Sequence, residues 1–365
     1  MKRLSVTMDD LDGRPDAASA CPEHPTDSVG NSPPGGMRRG VATRRVVLAA
    51  VLASMTAVMA CDGGHAVLRD APGDTLVAVN GTRLWVHVEE EGVEGERGRV
   101  GSEVIVVVHG GPLLDHGYLV EPLRPLATFA PLVFYDQRLS GRSDGVADPP
   151  APDVSLATFV EDIEGLREAL DLDRIHLLGH SWGGGLTMRY AIAHPDRVRS
   201  LILVSPPAPS FDLAAREARA RMEALEPADT VGMGALRASD GLAGGDPEVI
   251  ARLLRMSFRS QMLDRASADQ LEFHVPDDYL ARSEALQVLG PELSGADLTS
   301  ELRGLGVPTL VVYGAEEVGA RLTGPAYASL LPDVRVETIE GAKHFAFMEA
   351  PLAFRSLVRE FLSGI

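Results

Sequence analysis

Six apolar runs constrain this chain more than any other feature. They read EVIVVV (103–108), PLVFY (131–135), RIHLL (174–178), VRSLILV (198–204), VPTLVVY (307–313) and VRVETI (334–339). Runs rich in Val, Ile and Leu with little polar alternation suit strands covered on both faces, as in a parallel sheet. Helical patterns lie between them. Over 155–170, Leu156, Phe159, Val160, Ile163, Leu166 and Leu170 share one face, and Thr158 with Glu161 has the spacing of a capping box. Strands alternating with helices predict an α/β fold with a mostly parallel sheet and right-handed crossovers. Ahead of the series, TLVAV-NG-TRLWVHV predicts a hairpin about Asn80 and Gly81. The alternation stops over 206–300, where stretches rich in Arg, Glu and Ala predict a helical cap inserted in the sheet domain, itself formed by 70–205 and 301–365.

The first sixty residues belong to no such pattern. Residues 1–36 are rich in Pro, Gly, Ser and Asp and predict a disordered or misannotated extension. Met37 is followed by RRGVATRR and then by 15 apolar residues up to Ala60, too short to span a bilayer and suited to a signal peptide. This segment, 37–61, ends VMAC, a lipobox-like end with Cys61 as the residue to be lipidated. An exported, membrane-anchored lipoprotein facing outside the cytoplasmic membrane is expected, with Met37 as the true start. A formal charge of −18 on 365 residues disfavours nucleic acid and anionic membrane surfaces. Contact with a membrane is therefore expected only through the N-terminal lipid anchor. The two cysteines, Cys21 and Cys61, offer neither a disulfide framework nor a metal-ligand spacing.

Polar clusters stand at the carboxyl ends of the predicted strands, where chemistry gathers in open α/β sheets. GHSWG (179–183) follows one strand and precedes an apolar helix, the context of a nucleophile elbow. Gly179 and Gly183 suit a turn too tight for side chains, with Ser181 projecting above the sheet. HGGP (109–112) follows EVIVVV, so the Gly111 N–H can join that of Trp182, the residue after the serine, in an oxyanion hole. Of ten histidines, His344 alone has the late position of a general base in the order serine, acid, histidine. His109 and His180 lie within glycine motifs and are expected to act as structural hydrogen-bonders; no motif singles out His87, His116, His176, His194 or His274. After VPTLVVYG, either Glu316 or Glu317 can supply the carboxylate that orients the imidazole.

Together these residues resemble the α/β-hydrolase superfamily, and within it the proline iminopeptidase-like serine hydrolases. The pieces that carry the likeness are HGGP (109–112), YDQRLSGRSDG (135–145), GHSWGG (179–184) and GAKHF (341–345). The resemblance implies an eight-stranded sheet flanked by helices, no cofactor and no metal. It also implies Ser181 as nucleophile, His344 as base, Gly111 and Trp182 as oxyanion donors, and His109, Gly110, Asp136 and Arg138 in support. In that family the acid stands three residues after the glycine that ends its strand, which selects Glu317 over Glu316. Leu113 and Leu139 stand where the family has glycine, and a leucine there adds bulk and disfavours positive φ. Peptidases of this kind hold the substrate ammonium with cap glutamates. Glu217, Glu223 and Glu226 are candidates, although on an Ala/Arg-rich helix a solvated face is the expectation.

The resulting expectation is a serine hydrolase with an acyl-enzyme intermediate, releasing small N-terminal residues from peptides. A carboxylesterase or amidase on small esters or amides is the alternative. A non-catalytic, hydrolase-like binding lipoprotein is the rival from another class.

Overall fold

A computed structural model describes residues 73–90, 103–146, 153–294 and 296–365. The expected extension, signal peptide and lipobox-like end all lie outside these residues.

The six apolar runs and the two strands of the hairpin form one eight-stranded sheet in the order β1-β2-β4-β3-β5-β6-β7-β8. Strands β1 (Gly73–Val79) and β2 (Thr82–Glu89) are antiparallel and joined through Asn80 and Gly81, both at positive φ. Those two left-handed residues match the right-handed twist of the paired strands, which is why an Asn-Gly pair suits the turn. β2 also pairs antiparallel with β4 (Leu132–Tyr135). Every other neighbouring pair is parallel: β3 (Ile105–Val108), β4, β5 (Ile175–His180), β6 (Val198–Val204), β7 (Thr309–Gly314) and β8 (Val334–Ile339). The four residues of β3, the four of β4, and all of β5 are buried, as unbroken runs require.

Apolar residues cover both faces of the sheet. On one, Val106, Val108, Leu177 and Leu203 pack with Phe159, Ile163 and Leu166. On the other, Val107, Leu178 and Ile202 pack with Leu119, Phe347 and Phe354. Helix α1 is Gly117–Leu123 and α2 is Leu156–Ala169. The predicted face of α2 is buried, but its start differs from expectation. Ser155 caps it, accepting from the Thr158 N–H, while Thr158 Oγ1 accepts from the Ser155 N–H. The capping box thus begins three residues before Thr158, because the serine already satisfies the orphan N–H groups there. Helix α3 (Trp182–Ala193) follows β5 directly. Between β6 and β7 the chain forms helices, among them α4 (Phe211–Glu223), α5 (Pro227–Arg237) and α6 (Pro247–Phe258). After β7 come α7 (Val318–Leu322) and α8 (Gly324–Leu330), and α9 (Pro351–Leu362) ends the chain.

Candidate active site

The turn between β5 and α3 presents Ser181 at φ 53° and ψ −121°, a region that L-residues rarely occupy. Such strain persists only where the surroundings enforce it. Here a Cβ at Gly183 would strike the carbonyl oxygens of Val108 and His109, and one at Gly179 would lie 2.6 Å from the Gly183 oxygen. The serine makes no capping bond to its helix and lines a cavity. Trp182 begins α3, so its N–H has no partner within the helix.

Gly111 sits at φ +54° in the loop after β3. The preceding N–H, of Gly110, donates to the Tyr118 hydroxyl at 2.7 Å. That hydroxyl in turn donates to His180 Nδ1 at 2.7 Å, which leaves His180 Nε2–H to donate to the His344 carbonyl at 3.0 Å. One chain of hydrogen bonds therefore joins the HGG loop, the residue before Ser181, and the backbone of His344. His344 is also held by its own N–H, which donates to the Gln261 carbonyl at 3.1 Å. The His180 and His344 rings lie 4.9 Å apart, with Phe345 and Phe347 against His180. Burial drives the His180 ring well below its ordinary pKa, so it stays neutral and its tautomer is set by these partners.

His344 Nδ1 lies 2.7 Å from Glu317 Oε1, and both side chains are buried. The other carboxylate oxygen accepts from Ser205 Oγ at 2.6 Å. Burial alone would raise the Glu317 pKa, but the neighbouring His344, the Ser205 hydroxyl and the Arg221 guanidinium outweigh it and hold it below the carboxylate range. The adjacent Glu316 points the opposite way: it is exposed and accepts from the Gly341 and Ala342 N–H groups at 3.3 and 3.2 Å. With Nδ1–H committed to Glu317, Nε2 of His344 is left as the basic nitrogen.

The DQR segment ties the loops together. Asp136 accepts from the His116 and Arg142 N–H groups and pairs with His116 Nδ1 at 2.7 Å. Gln137 is the bridge: its N–H donates to His109 Nε2, its amide to the His109 carbonyl, and its oxygen accepts from Trp182 Nε1 at 2.8 Å. His109 must then carry its proton on Nδ1, and burial lowers its pKa to about 4. Arg138 is buried against Asp162 through two short bonds, 2.7 and 2.6 Å, and against the Asp153 carbonyl. Leu139 is buried at φ +62°, and Ser140 Oγ donates to the Pro112 carbonyl at 2.7 Å. The two loops carrying Leu113 and Leu139 thus meet, and both leucines join the same apolar cluster.

Glu217 corrects an expectation. It is 3% exposed, not solvated. It pairs with Arg221 Nη2 and accepts from Thr323 Oγ1 at 3.0 Å, while Arg221 Nη2 also reaches Glu317 Oε1 at 3.4 Å. Residues four apart on α4 face α7, and Glu217 is buried where it meets that helix and Thr323. Glu223 and Glu226 are exposed and paired with Arg219 and Arg265. Tyr118, Gln137, Ser205 and Arg221 were not singled out from the sequence. Of these, Ser205 and Gln137 carried a visible signal, a polar residue at a strand's carboxyl end.

A family model for the alpha/beta hydrolase fold matches residues 103–228, which hold the elbow, the HGG loop and the DQR segment. The chain has the α/β-hydrolase fold. The hydrolase is 28% identical over 275 residues to the proline iminopeptidase of Heyndrickxia coagulans, covering 73% of this chain and 92% of that one. It is also 28% identical to the proline iminopeptidase of Saccharolobus solfataricus, over 72% of this chain and 85% of the other. Among solved structures, the proline iminopeptidase of Mycobacterium smegmatis superposes with a TM-score of 0.58 at 24% identity, over 80% of this chain and 98% of that chain. That structural likeness speaks for the fold.

Proposed function

We propose that this hydrolase works through an acyl-enzyme on Ser181 and releases small N-terminal residues from short peptides. The observation that carries the reading is the buried 2.7 Å contact of Glu317 with His344 Nδ1, on a histidine whose backbone is tied to the residue preceding Ser181. His344 Nε2 takes the serine proton as Oγ adds to the carbonyl carbon, and the oxyanion draws on the Gly111 and Trp182 N–H groups. The tetrahedral intermediate collapses by breaking the bond to the leaving amine, which receives the proton from His344. Water then adds to the acyl-enzyme by the same route and frees Ser181. His109, Gly110, Asp136 and Arg138 hold the loops, and residues 206–300 act as a cap. The aminopeptidase assignment is supported by the iminopeptidase relatives at 28% identity.

One observation favours esters instead. The cavity beside Ser181 is walled by Leu186, Met188, Pro207 and Phe211, and among the described residues no carboxylate lines it to hold an ammonium. Parallel assays on prolyl arylamides and p-nitrophenyl esters separate the two. Arylamide turnover supports the aminopeptidase, whereas ester turnover without it leaves an esterase. We also place the protein outside the cytoplasmic membrane, anchored by a lipid on Cys61, from the composition of 37–61. Metabolic incorporation of a labelled fatty acid that persists in Cys61→Ala would remove that anchor.

A further inference from the structure

The cavity that Ser181 enters is about 340 Å³ and apolar along most of its wall. Among the described residues one cation lines it, Arg189. Ser181 is the cap of α3, and Trp182, Gly185, Leu186 and Arg189 follow it along the same wall at helical spacing. Arg189 is half-buried, and among the described residues its guanidinium has neither a hydrogen bond nor an ion pair within 4 Å. Glu292 and Glu301 act on it only at longer range, and both are exposed. Partial burial lowers its pKa, the mark of a cation that has lost water without gaining a direct partner. A guanidinium is built for planar, two-point recognition of a carboxylate. It also repels the ammonium that a free N-terminus would bring. The molecule as a whole carries −18, so an anion is attracted here by this local cation alone.

Resting on Ser181 as the nucleophile, and on the ester reading of this cavity in place of the aminopeptidase one, we infer that it takes a substrate with a short apolar chain that ends in a carboxylate, received by Arg189. Eight residues separate Ser181 from Arg189 along α3, about 12 Å of helical rise. Contacts of about 3 Å at one or both ends leave about 6–9 Å, which a chain of about six to eight carbons spans at about 1.3 Å of advance per bond. The carboxylate can stand on the acyl half or on the leaving half of the ester or amide.

Calorimetric titration of the Ser181→Ala protein tests this without turnover. Monomethyl suberate against methyl octanoate probes the acyl half, and 6-acetoxyhexanoate against hexyl acetate probes the leaving half. The anionic member of one pair should bind at least ~10-fold more tightly, as a charge-assisted bond predicts. Arg189→Gln in the same background should erase that preference, and Arg189→Lys should keep part of it. Equal binding within both pairs overturns the assignment, as does a preference that survives Arg189→Gln. If fluorophosphonate does not mark Ser181 in the wild type but the preference is present, the nucleophile reading fails and the carboxylate site stands.

Discussion

At the scale of single residues, the candidate site is a contest between burial and compensation. Glu317 is 7% exposed, and a buried carboxylate prefers to be neutral. Three partners reverse that preference, and each occupies a different stretch of the chain: His344, Ser205 and Arg221. A carboxylate kept ionised in this way fixes the His344 tautomer, whereas an amide in its place can present N–H to Nδ1 and invert it. Glu317→Gln should therefore reduce kcat by up to ~10⁴-fold, the scale seen when tautomer control is lost in a Ser-His-Asp triad. Glu316→Gln should change kcat little, since Glu316 serves only two loop N–H groups. Steady-state kinetics on one ester substrate checks both, and the reverse order would reassign the acid. Ser181 and His344 were legible because each sits in a motif a few residues long. Arg221 was not, because it reaches Glu317 across 96 residues of sequence, a contact that only the packing of α4 against α7 creates.

At the scale of elements, loops after strands do the positioning, and their leucines show which effect wins. Leu139 at φ +62° costs about 1–2 kcal/mol in the left-handed region. Its side chain is fully buried, and burial of a leucine contributes about 1.5–3 kcal/mol before any cavity is counted. Replacing it by glycine relieves the strain but deletes the side chain and loosens the unfolded chain. Leu139→Gly should thus destabilise the protein by roughly 1–3 kcal/mol, although the backbone alone argues for glycine. Urea denaturation measures it, and a more stable variant would contradict this balance. The strands and α2 could be read from apolar periodicity alone. The start of α2 could not, because Ser155 and Thr158 both sat at plausible capping positions and only the backbone shows which one is non-helical.

At the scale of the whole molecule, buried neutral histidines make stability depend on pH. His176, on β5 and bonded to Ser200 Oγ at 2.8 Å, has its pKa lowered by burial to about 4 from an ordinary 6.5. Between those values the unfolded chain binds a proton that the folded chain does not. Stability therefore rises with pH there, and it is lost as pH falls from 6.5 toward 4. His176→Gln should lose less stability than wild type between pH 7 and pH 5, by roughly 2 kcal/mol. Parallel denaturation curves at the two pH values decide it, and identical losses would show that His176 is charged in the fold.

The proposed function rests on Ser181 as a nucleophile activated by His344 and Glu317. Intact-mass spectrometry after exposure to a fluorophosphonate addresses it most directly. Wild type should gain one adduct, peptide mapping should place it on Ser181, and Glu317→Gln should react far more slowly. An adduct in Ser181→Ala at the wild-type rate, or no adduct in folded wild type, would contradict the claim.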